Sequence, residues 1–139
     1  MKIDCFRGKY FFLSNFFASD IRYNGLTFLN NEAAFQAQKC PERASEFCEL
    51  NPSDAKCLGR KVRLRSDWES VKDEVMYDVC RAKFSQNANL RRQLLNTGNA
   101  ELVEGNTWGD RVWGVCGGVG ENRLGRILMR IRDEMIGVD

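Results

Sequence analysis

The chain has 139 residues, 43% of them hydrophobic and 29% charged, with 21 Lys and Arg against 19 Asp and Glu and a formal net charge of +2. That length suits one domain with one core, and the near balance of charge argues against a general nucleic-acid binder. Histidine is absent, which removes Ser-His-Asp and Cys-His catalysis and makes a metal site unexpected. Acid–base work is left to carboxylates, lysine, tyrosine or cysteine.

No apolar run approaches the ~20 residues that span a bilayer. Met1 to Tyr10 is mixed and charged, without a signal-like apolar stretch. A cytoplasmic protein with no membrane partner is expected. The six cysteines, at 5, 40, 48, 57, 80 and 116, form no CxxC pair. Reduced, mostly buried thiols are expected of them.

In chain order, KYFFL at 9–13 reads as a strand. IRYNGLTF at 21–28 reads as a hairpin, because Asn24-Gly25 supplies the two positive φ angles of a type I′ turn. Asn30 or Asn31 can cap a helix running to about Lys39. Pro41 and Pro52 each suit the first turn of a further helix. Residues 68–84 carry Trp68, Val71, Val75, Val79 and Ala82 at helical spacing, with Met76 and Cys80 widening the stripe. A shorter helix over about 87–96 ends at Thr97-Gly98. Strand-like pieces follow at 100–104 and 111–116. The last helix, about 121–136, aligns Leu124, Ile127, Leu128, Ile131 and Met135. The whole reads as one compact α+β domain over 1–139, mainly helical with a small antiparallel β portion.

Four segments can carry chemistry. Glu32, Gln36 and Lys39 share one face of the 31–39 helix. Spacing fits a solvated polar face as well as a cleft wall bearing a carboxylate, an amide and an ammonium. EGNTWGDRVWG at 104–114 sets Glu104 and Asp110 among Trp108 and Trp113. A carboxylate beside indole rings can have a raised pKa, but two core tryptophans with surface carboxylates fit equally. GGVGENRLG at 117–125 is either a structural turn or a phosphate cradle; it lacks the dinucleotide and Walker spacings. Arg60, Lys61, Arg63 and Arg65 form a basic run, a solvated stretch or a phosphate clamp.

These pieces occur in a recognisable order. FLSNFF at 12–17, NNEAAFQAQK at 30–39, GRKVRLRSDW at 59–68, EVMYDVCRAKF at 74–84, LLNTG at 94–98, LVEGNTWGDRVWG at 102–114 and GVGENRLGRILMRIR at 118–132 cover nearly the whole chain. It resembles the NADAR family of NAD- and ADP-ribose-associated domains, which includes YbiA-like N-glycosidases. The resemblance implies a compact α+β fold and hydrolysis of N-glycosidic bonds, with no cofactor. Implied substrates are phosphoribosylamino-pyrimidine intermediates of riboflavin biosynthesis and ADP-ribose on guanine, including ADP-ribosylated nucleic acid, where the reaction would reverse ADP-ribosylation.

Residue by residue, the resemblance implicates Glu32, Asp110, Lys39 and Lys83 in catalysis. Arg7, Arg60 and Arg65 become phosphate-binding candidates and Trp113 a stacking candidate. Gly8, Asn15, Phe16, Gly114 and Asn122 complete the expected substrate contacts. One departure is visible: Ala33 stands where family members often carry histidine after the helix glutamate. Chemically, a carboxylate can stabilise an oxocarbenium-like C1′ and activate water, or a desolvated lysine can attack C1′ and form an imine with the opened ribose. The rival functions are a non-catalytic ADP-ribose or nucleotide-binding module and a nucleic-acid binder using the 60–65 segment.

Overall fold

A computed structural model describes residues 1–137 of the chain. The first elements are β1 (Lys2–Ile3), a 3₁₀ segment (Gly8–Leu13), β2 (Ala18–Tyr23), β3 (Leu26–Asn30) and α1 (Asn31–Ala37). A second 3₁₀ segment (Pro41–Phe47), α2 (Pro52–Gly59), α3 (Trp68–Gln86) and α4 (Ala88–Asn96) follow. The chain continues through β4 (Glu101–Leu102), β5 (Gly105–Asn106), β6 (Val115–Cys116) and α5 (Arg123–Met135). The fold is α+β and mainly helical. Its backbone clusters into two units, Asn15–Gln86 and Met1–Ser14 with Asn87–Asp139.

The 15–86 unit opens on the β2–β3 hairpin, antiparallel with Ile21 opposite Phe28 and Tyr23 opposite Leu26. Asn24 and Gly25 take φ of 50° and 81°, the backbone that a type I′ turn demands and that the NG pair supplies at least strain. Asn30 ends β3 and caps α1, its Oδ1 accepting from the Ala33 N–H at 2.8 Å. Asn51 caps α2 in the same way, accepting from the Asp54 N–H, with Pro52 in the first turn. Helix α3 buries Trp68, Val75, Met76, Val79, Cys80 and Phe84, close to the stripe its spacing predicts. Phe35 packs on Trp68 with ring centroids 5.2 Å apart.

In the other unit, β1 pairs with β4 in parallel, Lys2 opposite Glu101, and β5 pairs in parallel with β6. Helix α5 turns Leu124, Leu128, Ile131 and Met135 inward. Arg132, also buried, donates to Thr97 Oγ1 and to the Ala100 carbonyl, both at 2.9 Å, so an arginine joins α5 to the end of α4.

Several expectations change. Residues 9–13 lie in a 3₁₀ segment rather than a strand; the continuous Tyr10–Leu13 run carries no period that separates the two. The strand expected over 111–116 shrinks to Val115–Cys116, because the Asp110 side chain takes the Val112 and Trp113 N–H groups that a ladder would use. The sheet portion is one antiparallel hairpin plus two short parallel pairs. Of the six thiols only Cys40 and Cys80 are buried; Cys57 is exposed. Among the described residues, no helix is long and apolar enough to cross a membrane.

Candidate active site

The 15–86 unit holds a buried polar cluster on α1 and α3. Of the Asn30-Asn31 pair only Asn30 caps the helix, and Asn31 is fully buried. Its Nδ2 donates to Asn15 Oδ1 at 2.8 Å and to Cys80 Sγ at 3.3 Å. Asn15 in turn accepts the Glu32 N–H on its carbonyl at 2.9 Å and donates to Met76 Sδ at 3.4 Å. The Asn31 Oδ1 acceptor has no hydrogen-bond partner, an uncommon state for a fully buried amide.

Glu32 itself is 8% exposed and Gln36 6%, so this face of α1 is not a solvated one. Gln36 Nε2 donates to Glu32 Oε2 at 2.7 Å, a charge-assisted bond that favours the ionised carboxylate. Lys39, at the end of the same face, is half-buried, its Nζ 6.0 Å from the Trp68 ring centroid. Burial lowers its pKa, Glu32 pulls it back up, and Arg60, Lys56 and Lys72 push it further down. Lys56, Arg60 and Lys72 therefore lie within electrostatic reach of Lys39, with Glu32 as its counter-charge.

Lys83 is the most buried cation of the unit, at 1% exposure. Its Nζ lies 5.7 Å from the Phe17 ring and 5.1 Å from that of Phe84. Burial brings its pKa down to about 8, against a raising pull from Cys80. The Cys80 thiol is pushed up to about 11 by burial; Lys83 and the Asn31 bond lower it and Glu32 raises it. Cys80 thus lies within electrostatic reach of both Glu32 and Lys83.

The remaining candidates separate. Arg65 is held by Asp67 at 2.6 Å, and Arg60 is exposed at the end of α2. Phe16 is exposed beside Asn15. Arg7 and Gly8, both exposed, belong to the other unit, as do Asp110, Trp113, Gly114 and Asn122.

In that second unit the carboxylate loop is wired internally. Asp110 Oδ1 accepts from the N–H groups of Val112 at 3.1 Å and Trp113 at 2.9 Å. Asn106 closes the loop base, accepting the Asp110 N–H at 3.1 Å and donating to the Asp110 carbonyl and to Glu104 Oε2, both at 2.9 Å. Asn122 bonds the Glu104 N–H at 3.0 Å and the Leu102 carbonyl at 2.9 Å. Trp113 is half-buried, whereas Trp108 is 58% exposed. In the glycine-rich stretch, Cys116 and Val119 exchange backbone hydrogen bonds across a tight turn.

Gly114 lets Glu104 sit against the backbone: a Cβ there would meet Glu104 Oε2 at 1.9 Å and the Glu104 carbonyl at 2.1 Å. Gly114→Ala should therefore cost about 1–3 kcal/mol of stability. A thermal melt at the wild-type temperature would show that the loop yields instead.

Spacing did not single out Asn31 or Asn106 as functional. The Asn30-Asn31 doublet carried a signal, since one helix uses only one cap and the second amide must go elsewhere.

A model of the NADAR domain matches residues 5–136. Over 128 residues the chain is 44% identical to the N-glycosidase YbiA of Escherichia coli, covering 88% of this chain and 79% of that protein. It is 39% identical over 130 residues to a riboflavin biosynthesis protein of Vibrio vulnificus, covering 89% of this chain and 35% of that one. The NMR structure of E. coli YbiA superposes with a TM-score of 0.84 at 40% identity, covering 98% of this chain and 84% of that one.

Proposed function

The chain belongs to the NADAR family and is an N-glycosidase, and from that premise we propose that it releases a base from C1′ of a phosphorylated ribose. The observation that carries this reading is the buried cluster in which the Glu32 carboxylate and the Lys83 amine both lie within electrostatic reach of Cys80. Lys39, with Lys56 and Arg60 within its electrostatic reach, supplies the positive field that a phosphate or diphosphate requires.

Cleaving C1′–N leaves an electron pair on the base and positive charge on the ribose. Neutral Lys83 Nζ attacks C1′; the C1′–N bond breaks and the base leaves with that pair, taking, through water, the proton that the newly alkylated Nζ gives up. The ribosyl-lysine aminal then opens, O4′ departing as a hydroxyl, to leave an imine. Water, deprotonated by Glu32, adds to C1′ of that imine; Glu32 returns the proton to Nζ, the C1′–Nζ bond breaks, and the phosphorylated ribose leaves as its aldehyde. Asp110, whose Oδ1 is committed to two backbone N–H groups, shapes the Trp113 loop.

Two substrate sources fit: ADP-ribose on guanine, free or in nucleic acid, and phosphoribosylamino-pyrimidines, in keeping with the riboflavin biosynthesis in the Vibrio relative's name. The protein is incubated with each and the products are read by mass spectrometry. Release of free base from at least one of them is expected. Tight binding of ADP-ribose with no released base on prolonged incubation would replace this reading with that of a binding module.

A further inference from the structure

The Gln36 amide is clamped on both sides. Its Nε2 donates to Glu32 Oε2 at 2.7 Å. Its Oε1 is buried without a hydrogen-bond partner and presses on the Cα of Gly59, where a Cβ would lie 2.0 Å from Oε1 and 2.8 Å from Cδ. Only a glycine in α2 leaves room for the amide there. With the oxygen packed against a Cα–H, the contact that a carbonyl oxygen tolerates best among apolar neighbours, the N–H edge faces the carboxylate. A flipped amide would set oxygen against oxygen. Gln36 has no role in the proposed reaction, and burying an amide with an unpaired acceptor costs stability; aiming Glu32 gives that cost a purpose.

We propose that Gln36 is the positioning residue of Glu32: its amide, locked by Gly59, aims the carboxylate by donating to Oε2. Lys39 of α1 and Cys80 of α3 are coupled to Glu32; Lys56 and Arg60 of α2 and Lys72 of α3 act in turn on Lys39, and Lys83 of α3 on Cys80. All of these remain in the variants below, so a change in pH dependence reports the amide.

The inference rests on Glu32 acting in catalysis, and the experiment separates the two. Turnover against pH is measured for wild type, Glu32→Gln, Gln36→Met, Gly59→Ala and Gln36→Glu, with melts recorded alongside. Gln36→Met keeps the length and loses the donor. It should lower kcat about tenfold, leave KM nearly unchanged, and move the acid limb up by about one pH unit. Gly59→Ala, which evicts the amide, should move the limb the same way, and the double variant should be no worse than Gln36→Met.

Where Gln36→Met does not fold, Gln36→Glu carries the test. The new carboxyl donates when protonated and repels Glu32 when ionised, so activity should survive at acid pH and fall as pH rises. A wild-type pH profile in a folded Gln36 variant, with Glu32→Gln inactive, overturns the positioning role alone. A fully active Glu32→Gln overturns this inference together with the mechanism beneath it.

Discussion

Glu32→Gln should reduce kcat by about 10²–10⁴-fold, the usual share of a general acid–base group. The substitution preserves volume, and the glutamine oxygen can still accept from Gln36 Nε2, now 2.7 Å from Oε2, so the melting temperature should change little. What disappears is the charge and the proton. The loss should fall on kcat, since Lys56 and Arg60, the proposed phosphate holders, keep their charges. A secondary effect follows for Lys39, whose ammonium Glu32 supports. Without that support its pKa falls further, and alkylation of Lys39 by an amine-selective reagent should speed up. Wild-type turnover by the folded variant would exclude Glu32 from the chemistry.

Lys83→Met should abolish turnover and, at neutral pH, make the protein more stable. Burial holds the Lys83 pKa at about 8, so at pH 7 the folded state carries an ammonium out of water, at a cost of the order of a few kcal/mol. Methionine fills the same space without that charge. The sign fixes the pH dependence. A lysine whose folded pKa is lowered binds fewer protons folded than unfolded between about 8 and its unfolded value. Wild type therefore gains stability as pH rises through that window, and the advantage of Lys83→Met should shrink there. In the active protein, borohydride added during turnover should trap a ribosyl adduct on Lys83. An adduct mapping to Lys39 would transfer the nucleophile to the half-buried lysine. No adduct, with both Lys→Met variants active, would leave direct attack of water assisted by Glu32.

Local chemistry made much of this fold legible. Asn24-Gly25 demanded a turn that few other pairs form, and the spacing of Val75, Val79 and their neighbours described a helix whose buried side is close to the one observed. Side-chain competition for backbone groups was not legible, as where Asp110 takes two N–H groups and delays the start of a strand. Nor was the parallel pairing of Lys2 with Glu101, which no short window contains. The site was half visible. The one-face spacing of Glu32, Gln36 and Lys39 is a property of any helix, and it could not say which way the face points. Burial decided that, and burial depends on Gly59 from a segment 23 positions beyond Gln36.

The order of synthesis gives the division of the backbone a consequence. Residues 15–86 are continuous, and their hairpin, helices and buried polar cluster find their partners within that stretch. They can therefore organise while later residues are still being added. The first fourteen residues are made earlier and must wait longer, because β1 has no strand to pair with until Glu101–Leu102 has emerged. Closing so long a loop is slow relative to the local contacts. During that interval Ile3, Phe6, Phe12 and Leu13, all buried in the finished protein, lack the later residues of their own unit, the kind of transient apolar exposure that favours aggregation.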